Sequence, residues 1–194
     1  MREYLAGAGI EYHVHVIHQL GQKPFNRAKL LNIGFRETES FDYHAYHDVD
    51  LLPLDSDYSY VDFPTHLAAE VEQFGWKLPY GNLFGGVTLF SREDFLKVNG
   101  FSNDYWGWGC EDDDMFSRCK VMNLIPHRKK CRYASLAHAR SPLQNYQANL
   151  KLLREFRSDL TLERVMGDGL SSLAYSRVSV ERIETDATML NVDI

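Results

Sequence analysis

From Glu11 to His18 small or apolar residues alternate with polar ones, and β-branched types are frequent; that pattern predicts a strand. The ten residues before it read as the tail of a helix. Between Asn26 and Glu37, Ala28, Leu31 and Phe35 recur at helical spacing, Leu30 and Ile33 widen the apolar stripe, and Pro24 lies just ahead. This predicts an amphipathic helix entered from a loop. Tyr43 to Leu52 is an aromatic and apolar run that ends in Asp48-Val49-Asp50, with Pro53 close behind. Strand, helix and strand in succession suggest a parallel α/β unit, whose ligand crevice would lie beyond the carboxyl ends of the strands.

Glycines dominate from Leu78 to Val87, and Val87 to Phe90 predicts another strand. Ser91 to Val98 follows as a short helix, with Ser91 as N-cap and Asp94 three residues on. Asn99 to Asp114 is a loop of glycines and tryptophans emptying into four acids, which occupy the first turn of a helix over Met115 to Met122, where the helix dipole favours negative charge. Leu143 to Val165 predicts one or two helices, Leu170 to Tyr175 a turn and strand start, and Ser176 to Ile194 a terminal strand or hairpin. With no internal repeat and no linker, residues 1–194 are expected to form a single domain.

Composition narrows the function classes. The 194 residues are 44% hydrophobic and 25% charged, enough to bury a core. A net charge of -6, with the basic residues scattered apart from Arg128-Lys129-Lys130, argues against a protein built to grip nucleic acid. No stretch approaches the ~20 apolar residues needed to cross a bilayer, and Met1 to Tyr4 does not open like a signal peptide. Cys110, Cys119 and Cys131 are odd in number and lack metal-finger spacing, so a reducing compartment is expected.

The candidate chemistry lies in the acids. Asp48 and Asp50 would share one face of an extended strand and offer hard oxygen donors to a divalent cation; a bare Asp-x-Asp is more often an acidic turn closing a strand. Glu111-Asp112-Asp113-Asp114 has no basic residue close by in the chain to relieve it and is flanked by Tyr105, Trp106 and Trp108. Apolar ring faces beside carboxylates suit a sugar, and an acid held there with a raised pKa can serve as a general base. His138 is an available imidazole ligand, although a lone histidine is more often structural. His13, His15 and His18 read as a strand face, and His47 as a support beside Asp48.

These motifs, in order along the chain, resemble one family. Phe25-Asn-Arg-Ala-Lys-Leu-Leu-Asn32, His47-Asp-Val-Asp-Leu-Leu-Pro53, Phe84-Gly-Gly-Val87, Asn99-Gly-Phe-Ser-Asn103, Trp106 to Asp114 and Asp168 to Tyr175 together look like the β-1,4-galactosyltransferases of glycosyltransferase family 7. The resemblance implies a GT-A-like α/β domain with a mixed central sheet. It implies an inverting, metal-dependent enzyme that moves galactose or N-acetylgalactosamine from its UDP carrier to an acceptor glycan hydroxyl. Carried over residue by residue, Asp112 is the base, and Phe25, Arg27, Asp48, Leu83, Gly86, Trp108 and Glu111 face the donor. Tyr80 and Asp113 lie toward the acceptor, Asp50 and His138 hold Mn²⁺ or another divalent cation, and Trp108 sits on a loop that closes over the donor. Leu83 stands where galactose-specific members carry a tyrosine, which points to UDP-N-acetylgalactosamine. The family's opening strand has no counterpart here, Ser135 replaces a methionine ligand, and neither the family's cysteine pairs nor a membrane anchor is present. These departures favour a bacterial cytoplasmic enzyme over an excised Golgi catalytic domain, and leave a catalytically silent sugar-binding relative as the alternative.

Overall fold

Side chains that reach back to the backbone set the helix starts. The Asn26 side-chain oxygen accepts the Lys29 amide at 2.9 Å and opens α1 (Arg27–Glu37), while Ser91 Oγ accepts the Asp94 amide at 3.0 Å and opens α2 (Arg92–Lys97). Both caps satisfy amides that have no partner inside the helix. The computed structural model describes residues 4, 5, 7, 9–137 and 145–194.

Around these helices the chain runs β1 (Val14–Gln19), α1, β2 (Tyr43–His47), β3 (Leu51–Asp55), β4 (Thr65–His66), β5 (Glu70–Val71), β6 (Val87–Ser91) and α2. It continues with α3 (Glu111–Val121), β7 (His127–Arg128), β8 (Arg132–Ser135), α4 (Tyr146–Ser158), α5 (Leu162–Gly167), β9 (Ser176–Glu184) and β10 (Ala187–Asp193). Strands order as β1-β10-β9, β2-β6-β4-β7 and β3-β8-β5. All three sheets mix parallel and antiparallel pairs.

The first helical unit differs from the expected parallel pair. β1 runs parallel to the C-terminal β10, whereas β2 pairs antiparallel with β6. Periodicity identifies strands but carries no information on which distant strand lies alongside. The expected terminal hairpin is formed by β9 and β10, and the helical stretch divides into α4 and α5, its first residues, 143 and 144, lying outside the described residues.

The core nearest the acids is aromatic. Phe35, Tyr46, Phe90, Phe95 and Phe101 are buried together, with Tyr46 and Phe95 stacked at 4.5 Å. Met115 and Cys119, one turn apart on α3, pack into this cluster and fix that helix against the β2/β6 sheet. Buried amides join the loops. Asn32 bonds both the amide and the carbonyl of Phe101, and Asn99 reaches the carbonyls of Val165, Met166 and Asp168.

Gly169 lies against Asn99 with φ +135, and a Cβ there would overlap the Asn99 carbonyl oxygen. Both the backbone region and the clash exclude a side chain. Gly169→Ala is therefore expected to cost roughly 3 kcal/mol or more, read as a lowered midpoint in urea-induced unfolding.

Candidate functional site

The end of β2, the start of β6, the first turn of α1 and the first turn of α3 meet at one place. His47 at the end of β2 pairs with Val87 at the start of β6, so Asp48-Val49-Asp50 leaves the sheet where Gly85-Gly86 enters it. There the chain turns rather than staying extended, which corrects the expectation that Asp48 and Asp50 share a strand face. The Asp48 amide donates to the Gly86 carbonyl at 2.9 Å. His47 Nδ1 donates to the Asp48 carbonyl at 2.7 Å, leaving Nε2 to accept the Tyr58 hydroxyl at 2.9 Å. Burial lowers the His47 pKa, and these two bonds define a neutral tautomer that holds the turn.

The four acids are relieved from three directions. Arg27 binds Asp48 Oδ1 through Nε at 2.7 Å and Nη2 at 2.6 Å, and its Nη1 lies 3.6 Å from Glu111. Burial pulls the guanidinium pKa down, but Asp48, Glu111 and Asp112 push it above its ordinary value. Arg118 Nε binds Asp114 Oδ1 at 2.5 Å within α3, both side chains almost fully buried, and Nη2 reaches Asp168 at 3.2 Å. Arg157 of α4 lies 3.3 Å from Asp113 Oδ1, and Tyr80 donates to Asp113 Oδ2 at 3.3 Å. The sequence stretch that looked unrelieved thus has Arg118 four residues along, one helical turn away. Asp114 is consumed by that structural pair.

Among the described residues Asp112 makes no ion pair, and its Oδ1 accepts the Asp113 amide at 2.9 Å. Burial, then the charges of Glu111 and Asp113, raise its pKa to about 7; burial raises Glu111 against the pull of Arg27. A carboxyl that exchanges its proton near neutrality has the property of a general base. The glycines opposite are what give it room: a Cβ on Gly85 would overlap the Asp112 carboxylate, and Gly86, at φ +80, has Ala68 and Leu51 where its side chain would go.

Trp108 stands half exposed on the loop before α3, its ring 5.3 Å from Tyr146. Phe25 is exposed, and its carbonyl accepts the Gly107 amide at 2.7 Å. Leu83 is half buried beside these glycines. Phe25, Arg27, Asp48, Tyr80, Gly86, Trp108 and the acids of α3 are thus linked through direct contacts or one intervening residue. His13 and His18 instead bond Thr188 and Asn191 across the β1/β10 pair, away from the acids.

Two residues missed in the sequence shape the glycine segment. His66, fully buried, donates Nε2 to the Gly85 carbonyl at 2.8 Å and accepts Arg128 Nε at 3.1 Å; burial lowers its pKa to about 4. Arg128 also donates to the Leu83 carbonyl at 2.9 Å. No sequence signal marked either, because both act on main-chain atoms of a segment far away in the chain.

Asp50 offers a hard oxygen donor, and its carbonyl accepts the Leu136 amide at 2.7 Å, bringing the chain after β8 to its side. That donor chemistry fits a divalent cation. His138 lies outside the described residues, and among the described residues no three acidic, histidine or cysteine side chains are grouped to hold an ion.

Comparison with known proteins bears on the family and the fold. Residues 1–62 match the model for the N-terminal region of glycosyl transferase group 7, and residues 65–141 the model described as the N-terminal domain of galactosyltransferase. The catalytic domain of Drosophila β1,4-galactosyltransferase 7, solved in complex with xylobiose, superposes with a TM-score of 0.85 at 31% identity, covering 100% of this chain and 85% of that one. The chain belongs to the β-1,4-galactosyltransferase family. Mouse β-1,4-galactosyltransferase 4 is 42% identical over 93% of the chain, and the bovine β-1,4-galactosyltransferase 1 is 38% identical over 95%. The chain spans about half the length of these curated relatives, 54% and 47%. The fold is accordingly GT-A-like, with mixed sheets.

The relatives correct the expected location. They are animal β-1,4-galactosyltransferases, so the bacterial cytoplasmic placement is overturned. The cysteines misled because all three are buried in separate apolar clusters, Cys119 in the aromatic core, Cys131 with Tyr133 and Cys110 with Tyr105, where a thiol serves as a small apolar side chain in any compartment. Among the described residues no helix is long and apolar enough to cross a membrane.

The raised Asp112 pKa makes a stability prediction. The folded state holds this proton to about pH 7, while the unfolded chain releases it near the ordinary carboxylate value of about 4. The unfolded state binds fewer protons across that window, so ionising Asp112 costs stability as pH rises from about 4 to about 7. Asp112→Asn removes the cost: a gain of up to about 4 kcal/mol is expected at pH 8 and little change at pH 4, measured by thermal unfolding at both values.

Proposed function

We propose that residues 1–194 form a single catalytic domain that transfers a hexose of the galactose series from its UDP carrier to an acceptor sugar hydroxyl, with inversion and a β-1,4 linkage. The observation that carries this reading is Asp112: a carboxyl raised to about 7, set close against Gly85 beside groups suited to a sugar. The Drosophila neighbour, as its D211N mutant, has been solved with manganese, UDP-Gal and xylobiose, which supports a UDP-sugar donor and a saccharide acceptor.

Inversion needs one displacement. The acceptor hydroxyl attacks the anomeric carbon on the side opposite the diphosphate, Asp112 takes the hydroxyl proton, and the bond to UDP breaks. No covalent sugar intermediate forms, so a single base suffices. Glu111 and Asp48, both held by Arg27, accept hydroxyl protons of the donor sugar and orient it. Phe25 and Gly86 line the donor side, and Tyr80 and Asp113 the acceptor side. Trp108 offers an apolar face to the sugar and excludes water that would hydrolyse the donor. Asp50 and His138 would hold Mn²⁺ or a related divalent cation, which when bound supplies positive charge to the departing diphosphate.

The direct test is UDP release from UDP-galactose with Mn²⁺ and xylobiose as acceptor. Parent protein should turn over, with a rate rising through neutral pH as Asp112 ionises, and Asp112→Asn should lose on the order of 10²-fold or more in kcat with donor binding kept. Full turnover by that variant excludes Asp112 as the base. Saturable donor binding without any UDP release by the parent would instead favour a silent sugar-binding relative.

Leu83 bears on which sugar is accepted. A leucine lacks the phenol that crowds the donor's 2-substituent, and contact with an acetamido methyl is worth about 1 kcal/mol. UDP-N-acetylgalactosamine is therefore expected to compete against UDP-galactose, and Leu83→Tyr to shift the ratio of kcat/KM values at least several-fold toward galactose. An unchanged ratio removes position 83 as the gate.

A further inference from the structure

The loop that carries Trp108 has an unusual backbone. Gly107, Gly109 and Cys110 all have positive φ, at 79, 94 and 80, and for cysteine that region is sterically costly. These turns aim the carbonyls of Trp106, Trp108 and Gly109 toward one point. A polar side chain occupies it: Nδ2 of Asn149, from α4, lies 3.1, 3.2 and 3.1 Å from those three oxygens.

Asn149 is 2% exposed and sits on the α4 face that buries Leu153 and Phe156. An amide in that setting costs free energy unless its protons are used. Two protons serve three acceptors, so at least one bond is shared, and loss of the amide leaves all three carbonyls short of a donor. The same helix contacts the loop and acids elsewhere. Tyr146 packs on Trp108, and Arg157 donates to the main-chain carbonyl and side chain of Asp113. Of these three residues only Asn149 holds the main chain of the tryptophan loop itself.

We propose that Asn149 is a positioning residue that fixes the main-chain path of the tryptophan loop, and so the placement of Trp108 over the donor sugar; the second half of this role rests on the glycosyltransfer reading above. It touches neither donor nor acceptor and acts through the three carbonyls alone. Its signature is a change in how well Trp108 covers the donor, with the base at Asp112 unchanged. Water then competes better with the acceptor.

The test uses Asn149→Asp, which keeps the shape but turns a donor into an acceptor facing three carbonyls, and Asn149→Ala, which removes it. Both are made in a Trp76→Phe background so that emission reports Trp106 and Trp108. Gln147→Ala, on the exposed side of α4, is the control. Expected results are a several-fold rise in acrylamide quenching of the folded protein, a KM for UDP-galactose raised about tenfold, and a several-fold higher ratio of donor hydrolysis to transfer. The acid limb of the kcat profile should stay in place. Rescue of quenching by Asn149→Gln in part, but not by Asn149→Leu, would support a donor role over mere filling.

If both variants fold, judged by circular dichroism, and keep parental quenching, the proposal fails. If they fail to fold, Asn149→Ser, which retains one donor, replaces them, and parental quenching there overturns it. Should the parent release no UDP from UDP-galactose, the glycosyltransfer reading fails while the quenching comparison still decides whether Asn149 holds the loop.

Discussion

Glu111 to Asp114 place four carboxylates in one turn of α3, and relief of that repulsion organises the structure around the site. The helix N-terminus favours negative charge but cannot absorb four adjacent acids by itself. Three arginines from α1, α3 and α4 complete the work. Arg118 takes Asp114 into a buried pair, Arg157 approaches Asp113, and Arg27 approaches Glu111 while gripping Asp48. Among the described residues the acid without such a pair is Asp112, and it is the one whose proton leaves near neutrality. A crowded charge cluster thus yields one group suited to proton transfer and three suited to holding.

The same division explains the cost built into the site. An ionised Asp112 among like charges opposes folding, and the aromatic core beneath α3 offsets it through Met115 and Cys119. Destabilised groups at a reacting centre are expected where function and stability compete. The glycines facing Asp112 follow the same logic, since Gly85 and Gly86 give up side chains that packing would otherwise use. His66 and Arg128 then hold from behind a segment too bare to hold itself.

Much of the site was legible because its residues are dense and chemically unusual in the sequence. Acids beside tryptophans, glycines before a strand and Asp-x-Asp after one are local signals, and each motif falls at this site. Secondary structure followed where capping was local, as at Asn26 and Ser91. Expectations failed where the answer depended on partners far along the chain. Asp48 and Asp50 do not share a strand face because the backbone turns at Val49 and Asp50, and the cysteines say nothing of compartment because each serves as a small apolar side chain in a core.

The sequence by itself determined the helices, the acid cluster and the family, since periodicity, capping and motif order are properties of neighbouring residues. Tertiary structure alone decided which acids gain an arginine among the described residues, because that depends on where Arg27 and Arg157 arrive from 84 and 44 positions away from Glu111 and Asp113 respectively. It also decided that β1 lies beside β10 and β2 beside β6. It placed Asn149, an unremarkable residue in a helical stretch, against three carbonyls of a loop 40 to 43 positions earlier. Hydrogen bonds to main-chain atoms leave no trace in side-chain pattern, and only the folded path brings donor and acceptor together.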